Sequence, residues 1–344
     1  MTKPLTICLY CMDGNHDKCS GSCACLHVKD LSVSHSRVEA FLRCARQEYY
    51  GYGRKLQKIE TSVPLALGTA IHSVLETLYR HVLSAGMSRK AQREAYPEAV
   101  KKALSRVDEL YAEGFQDSEK RAPLRLIIEK YLEREPFIDN AWREDDNRQW
   151  LVMAVEKEFS LVWDDETNAQ YPFVIDLIMK DPEGYTIVVD NKGVYDLYKY
   201  EDTQLMPQIP KYVGALRALG YKVGNYGVYN MLRTRPAPKT KARTPSEWAQ
   251  ALSFDISATR VQRSFLEQVS ASSIVHELDT LSPEERDLRA LRVNNKDICN
   301  RICDFRDLCV EELRGGNTEI LLRTEYQTKK PRAKIEVSPD VGDV

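Results

Sequence analysis

Two carboxylates and an amine stand where a folded chain ordinarily places apolar residues. Asp176 interrupts the run Tyr171-Pro-Phe-Val-Ile-Asp-Leu-Ile, and Asp190 closes Ile-Val-Val-Asp before Asn191 and Lys192. Strand alternation sends Asp190 and Lys192 to one face. An ionised acid inside a strand is costly unless it is paired or binds a cation. Carboxylate oxygens suit hard Mg²⁺ or Mn²⁺, so the pattern reads as a metal site with Lys192 placed to orient or deprotonate an attacking water. A structural ion pair between Asp190 and Lys192 reads the same residues equally well.

Cysteine is the second chemically loaded residue type. Of nine, Cys8, Cys11, Cys19, Cys23 and Cys25 crowd the start, Cys44 stands alone, and Cys299, Cys303 and Cys309 lie near the far end, with none from 45 to 298. In a reducing compartment such thiols bind metals rather than form disulfides, and the spacing divides them into two groups. The gap Cys8-Leu-Tyr-Cys11 lets two thiolates face one tetrahedral ion, and His16, Cys19, Cys23, Cys25 and His27 offer further ligands for a zinc knuckle. A flexible reactive tail is the equal alternative. The C-terminal trio needs a fourth corner for zinc or an iron–sulfur cluster, and Cys44 is the unassigned candidate. Three unrelated buried cysteines are disfavoured, because Asp304, Arg306 and Asp307 adjoin them.

Composition and charge bound the partners. The 344 residues are 43% hydrophobic and 29% charged, which excludes a wholly disordered or fibrous chain. Lys and Arg number 49 against 51 Asp and Glu, a net charge of −2, so any contact with DNA is local rather than driven by a global field. The basic stretch Arg233, Arg235, Lys239, Lys241 and Arg243 either steers a strand or is a solvated loop. No apolar run reaches the ~20 residues of a membrane span, and residues 1–25 lack a signal-peptide core. A cytoplasmic protein without membrane contact is expected. No Gly-x-x-x-x-Gly-Lys-Ser/Thr loop, Gly-x-Ser-x-Gly elbow or repeat is present, which argues against an ATP-driven motor.

Positioning these residues requires a scaffold. Ser36-Arg-Val-Glu39 reads as a capping box that opens a helix of about four turns carrying Cys44 and ending at Gly51 and Gly53. A second helix from about Leu67 has Ile71, Leu75, Leu78 and Val82 as its core stripe, with His72 and Glu76 one turn apart on a neighbouring face. Residues 88–143 read as a charged helical insertion broken by Pro97 and Pro123. Strands are predicted at 149–163, 171–180 and 185–190, the last two joined by the turn Asp181-Pro-Glu-Gly184. A helix after Asp202 reaches Leu219 with Pro207 and Pro210 in its first turn. Strands at 221–232 and 252–256 follow, then helices, then a loose tail from Arg314.

In this order the motifs resemble the RecB-type branch of the PD-(D/E)XK nucleases, which includes iron–sulfur exonucleases related to AddB and the CRISPR-adaptation nucleases. Ser34-His-Ser-Arg-Val-Glu-Ala-Phe-Leu-Arg-Cys44 looks like the family's opening helix with its first cluster cysteine. Gly68-Thr-Ala-Ile-His72 is similar to its Gly-x-x-x-His helix. Asp176 and Asp190-Asn-Lys192 resemble the acid and acid-x-Lys signature, Gln208-Ile-Pro-Lys-Tyr212 the Gln-x-x-x-Tyr motif, and the cysteine trio completes the order. The resemblance covers about residues 31 to 312. Two departures stand near the metal: Phe173-Val-Ile replaces a frequent Gly before the first acid, and Gly193 replaces the usual Thr after the Lys.

The resemblance implies an α/β core, a central mixed sheet flanked by helices, with a helical insertion at about 88–143 and a cluster-binding segment at 299–309. Residues 31–313 then form the nuclease domain, 1–30 a Cys/His-rich appendage and 314–344 a flexible tail. It implies that His72, Asp176, Asp190 and the carbonyl oxygen of Asn191 hold Mg²⁺ or Mn²⁺, that Lys192 positions water, and that Gln208 and Tyr212 face the site. Glu76 either supports the ligand shell or is a solvated charge. Cys44, Cys299, Cys303 and Cys309 are implied to hold a structural 4Fe-4S cluster. The expected activity is exonucleolytic hydrolysis of DNA, single-stranded or at duplex ends, in recombination or repair, in a bacterium or phage, with a recombinase or single-strand-binding protein as partner. A non-catalytic iron–sulfur or zinc DNA-binding module and a zinc-only protein are the alternatives.

Overall fold

The computed structural model describes residues 33–60, 62–133, 135–138, 149–164, 169–238, 243–301 and 303–329. The proposed zinc ligands Cys8, Cys11, Cys19, Cys23 and Cys25 lie outside these residues, as do Lys239 and Lys241. Helix α1 (His35–Arg43) is capped by Ser34, whose side chain accepts from the Arg37 N–H, two residues before the expected cap. The expected unbroken helix is corrected at Cys44, which is extended at φ −168° and ψ 114°. Helix resumes over Ala45–Glu48 and passes into a π-turn over Tyr49–Gly53. The break follows from burial: Arg46 and Glu48 are 5% and 1% exposed, and their ion pairs with the C-terminal region orient the second piece.

After strand β1 (Leu56–Lys58), helix α2 (Val63–Ser84) starts a turn earlier than expected, with Pro64 in its first turn. Its stripe Ile71, Leu75, Leu78 and Val82 is buried. Helix α3 (Arg89–Ala112) runs straight through Pro97. Pro97 is exposed, while Tyr96, Ala99, Ala103 and Val107 bury the other side and keep the helix whole. Helix α4 (Leu124–Leu132) begins after Pro123.

Strands β2 (Leu151–Asp164), β3 (Ala169–Lys180), β4 (Thr186–Val194), β5 (Val223–Arg233) and β6 (Ala249–Asp255) form one sheet in chain order. Only β4 and β5 are parallel, and helix α5 (Gln208–Ala218) lies in their crossover. Gly184, at φ +90°, closes the β3–β4 turn on the Asp181 carbonyl. One apolar layer joins Val188, Tyr229 and Phe254 of the sheet to Ile209, Val213 and Leu216 of α5 and to Val261 and Phe265 of helix α6 (Ala258–Asp279). The other joins Ile187, Val189 and Val228 to α2, α3 and α4.

Short helices α7 (Pro283–Arg289), α8 (Lys296–Arg301), α9 (Arg306–Leu313) and α10 (Glu319–Thr324) follow. The chain then adds strand β7 (Tyr326–Thr328), antiparallel to β1. The expected loose tail is therefore ordered to residue 329. Tyr326 supplies the reason, being 3% exposed and stacked on Phe305 at 5.7 Å between centroids. No helix among the described residues is long and apolar enough to cross a membrane.

Candidate metal centre

Strands β3 and β4 pair from Leu177–Val189 to Lys180–Thr186, so their ladder ends one residue short of Asp176 and Asp190. The strands part there, and α2 fills the gap with His72. His72 Nδ1 lies 3.5 Å from Asp176 Oδ2 and 3.8 Å from Glu156 Oε1, and His72, Glu156 and Asp176 each bring a ligand atom within 4.8 Å of the others. The Asn191 N–H donates to Asp176 Oδ2 at 2.9 Å and fixes that carboxylate.

Glu156 is the member that sequence reasoning missed. It belongs to Glu156-Lys157-Glu158 within an otherwise apolar strand, where three successive charged residues leave no single acid marked. Its neighbours Val155 and Lys157 pair with Leu177 and Ile175, so the hairpin register carries it level with Asp176. Its φ of 45° is left-handed for a side-chain-bearing residue, a setting that costs about 1–3 kcal/mol and persists only where the surroundings enforce it.

Asp190 stands beside this triad, 2% exposed. Lys192 Nζ lies 2.8 Å from Asp190 Oδ2 and donates to Gln208 Oε1 at 2.9 Å, and Gln208 Nε2 donates to the Tyr212 hydroxyl at 3.1 Å. Gln208 and Tyr212, one turn apart on α5, thus form a row with the amine. Asn191 is held by its side chain: Asn230 Nδ2 donates to Asn191 Oδ1 at 2.8 Å and to the Tyr131 hydroxyl at 2.9 Å. Tyr131 bonds Tyr79, which donates to Glu135 at 2.8 Å. This buried chain anchors β4 to α2 and α4.

The electrostatics describe an anionic site short of a cation. Burial, then repulsion from Asp190, pushes the Asp176 carboxyl up to about 7, against the pull of His72. Burial works against a charged His72, but the Glu156, Asp176 and Asp190 carboxylates outweigh it and raise its pKa. Burial likewise opposes the Lys192 ammonium, and Asp190 reverses the balance and keeps it charged.

The departure at Gly193 has a packing reason. A Cβ there would meet Ile71 Cδ1 at 3.0 Å and the Gly68 Cα at 3.7 Å, so Gly193 allows α2, the helix of His72, to pack closely on β4. Glu76 takes no part: its Oε1 accepts from Arg80 Nε at 2.7 Å on the exposed side of α2. His35 of α1 packs edge-on against Tyr212, 5.8 Å between centroids. Burial, then the Lys211 and Lys192 charges, lowers the His35 pKa to about 3, so it is neutral.

Cys44, Cys299, Cys303 and Cys309 are brought into one neighbourhood, each half-buried. Burial raises the Cys303 thiol to about 11, the Phe305 backbone N–H opposes this, and Cys44, Cys299 and Cys309 add to it. Arg292 Nε donates to Cys309 Sγ at 3.0 Å. No three of these sulfurs come within 4.8 Å of one another. An ion-pair network binds the two chain regions that carry them. Arg37 and Arg286 both pair with the buried Glu48, at 2.7 and 3.0 Å, and Arg46 joins Asp287 at 2.8 Å and Glu312 at 2.5 Å.

No curated protein matches the chain. The mixed sheet, the parting strands and the acid-Asn-Lys element agree with the family whose model matches residues 32–310, and by that match the chain belongs to the PD-(D/E)XK nuclease superfamily.

Proposed function

We propose that this chain hydrolyses DNA phosphodiester bonds with Mg²⁺ or Mn²⁺, working from an end and preferring single strands. The observation that carries the reading is the convergence of His72, Glu156 and Asp176, with Asp190 and Lys192 adjoining. An imidazole with several carboxylates is a hard donor set suited to these ions. The buried, crowded charge fits too, since a dication offsets the burial and then the Asp190 repulsion that hold Asp176 at about 7. His72, Glu156, Asp176, Asp190 and the Asn191 carbonyl oxygen would hold it. When bound, the metal supplies Lewis acidity to the phosphate and acidifies its water. Lys192, kept charged by Asp190, orients the attacking water and offsets negative charge on the phosphate. Gln208 holds the Lys192 amine and, through Tyr212, ties it to α1.

End-directed action, single-strand preference and service in recombination or repair rest on the likeness of the ordered motifs to the RecB-type branch. We read residues 31–313 as the nuclease domain and the four described cysteines as corners of a structural 4Fe-4S cluster. Hydrolysis moves no electrons, whereas tying residue 44 to residues 299–309 closes a long loop. The preference for a cluster over zinc rests on the same likeness to the RecB-type branch, since four thiolates suit either.

The test incubates end-labelled linear and circular single-stranded DNA with the full chain and Mn²⁺ or Mg²⁺, beside Asp190→Ala. Loss of linear but not circular DNA, absent in the variant, is expected. Intact DNA with wild type and variant alike, while both retard it on a gel, would assign the chain to non-catalytic DNA binding.

A further inference from the structure

Just past Lys192 the chain leaves β4 at Tyr195, an aromatic ring left 48% exposed. Two guanidinium carbons gather on that ring, Arg121 at 4.6 Å and Arg235 at 5.5 Å from its centroid. Arg121 donates to Thr234 Oγ1 at 3.0 Å and pairs with no carboxylate among the described residues. Arg243 spends its guanidinium on the carbonyls of Arg235 and Pro236, at 2.5 and 2.9 Å. Its pKa is lowered by burial and then by the neighbouring Arg233 and Arg235. Asp196 takes both Arg233, at 3.2 Å, and Arg235, at 3.1 Å, which leaves Arg121, Arg243 and the exposed Lys120 in excess. Like charges repel, so a fold that assembles them beside an open ring leaves a site whose energy falls when an anion arrives.

Tyr195, Arg121 and Lys120 border a cavity of about 690 Å³ with Val63, Pro64, Ser118 and Pro236. Val63 and Pro64 open α2, the helix that carries His72, and Tyr195 follows Lys192 by three residues, ~10 Å of extended chain. The cavity therefore lies about 10 Å beyond the metal centre's amine along the same strand.

We propose that this cavity is the subsite that grips single-stranded DNA next to the scissile phosphate, an inference that rests on the nuclease reading above. Tyr195 offers a base the part of its ring that Arg121 and Arg235 leave open, and Arg121 and Lys120 take the flanking phosphates. An exposed aromatic among cations is the arrangement that holds single strands without reading sequence.

The test is steady-state digestion of a fluorescent single-stranded oligonucleotide by the full chain in Mn²⁺ across a KCl series, with Tyr195→Ala, Tyr195→Phe and Arg121→Ala. Loss of a stacked base predicts that Tyr195→Ala raises KM roughly tenfold, more than it lowers kcat, while Tyr195→Phe stays close to wild type. Loss of one phosphate contact predicts a log KM against log salt slope smaller by about 0.7 in Arg121→Ala. Variants that digest DNA with wild-type KM and salt slope would overturn the subsite and leave the nuclease intact. A fall in kcat alone would move Tyr195 to the reacting centre and overturn it as well. A wild-type chain that neither binds nor digests DNA would remove the nuclease reading and the subsite with it.

Discussion

Replacing Asp176 by Asn separates what the metal centre costs the fold from what it does. In the metal-free protein the Asp176 carboxyl is only 14% exposed and is pushed from an ordinary 3.8 up to about 7. Between those values the folded chain holds a proton that the unfolded chain has released, so stability falls as pH rises towards 7 and levels off above it. From pH 5 to 7 the loss is about two pH units at ~1.4 kcal/mol each, or ~3 kcal/mol. The raised His72 pKa adds in the same direction. Asn carries no charge yet still accepts from the Asn191 N–H, so Asp176→Asn removes the loss and keeps the hydrogen bond. At pH 8.5, with chelator present, its melting temperature should exceed wild type by about 6 °C, taking roughly 2 °C per kcal/mol for a chain of this size. At pH 5 the two should melt together. Excess Mn²⁺ should then raise wild type and leave the variant unmoved. Thermal melts across pH, with and without metal, make the measurement. A flat wild-type profile between pH 5 and 8.5, or a variant that loses stability in parallel, would refute the claim that buried, crowded carboxylates define this site.

Three further outcomes follow from the same geometry. Glu156→Gln should weaken Mn²⁺ binding by about 10- to 100-fold in a calorimetric titration, and unchanged affinity would take Glu156 out of the ligand set. Glu48→Gln leaves Arg37 and Arg286 short of their shared buried carboxylate and should destabilise by about 3–5 kcal/mol in urea unfolding; a loss below ~1 kcal/mol would show that the network does not join the two ends. Cys303→Ser in anaerobically purified protein should lose the brown colour and bound iron expected of wild type, and a colourless, zinc-loaded wild type would exclude the cluster.

Some of this was legible in residue order because it depends on local chemistry. Asp176 and Asp190 stood out as acids inside apolar, β-branched runs, and the strands formed around them. Ile71, Leu75, Leu78 and Val82 announced a buried helix face, which placed His72 beside that face. The turn at Gly184 followed from its positive φ. Other features carried no local signal. Pro97 does not break its helix, because Tyr96, Ala99, Ala103 and Val107 on either side of it are packed into the core. The stop at Cys44 and the ordering of Tyr326 come from partners outside any short window, Glu312 and Asp287 more than 200 residues from Arg46 and the Phe305 ring 21 residues from Tyr326.

Sequence alone determined which groups were available: hard oxygen donors, an amine two residues past an acid, and thiols divided between distant segments. Those follow from side-chain type and from periods of two and 3.6 residues, which act over a few neighbours. Tertiary structure decided which groups meet. The ladder ends before Asp176 and Asp190, the glycine at 193 admits α2, and hairpin register sets Glu156 level with Asp176 in the site. Convergence of that kind depends on long-range packing and strand registry, which no short window of residues encodes.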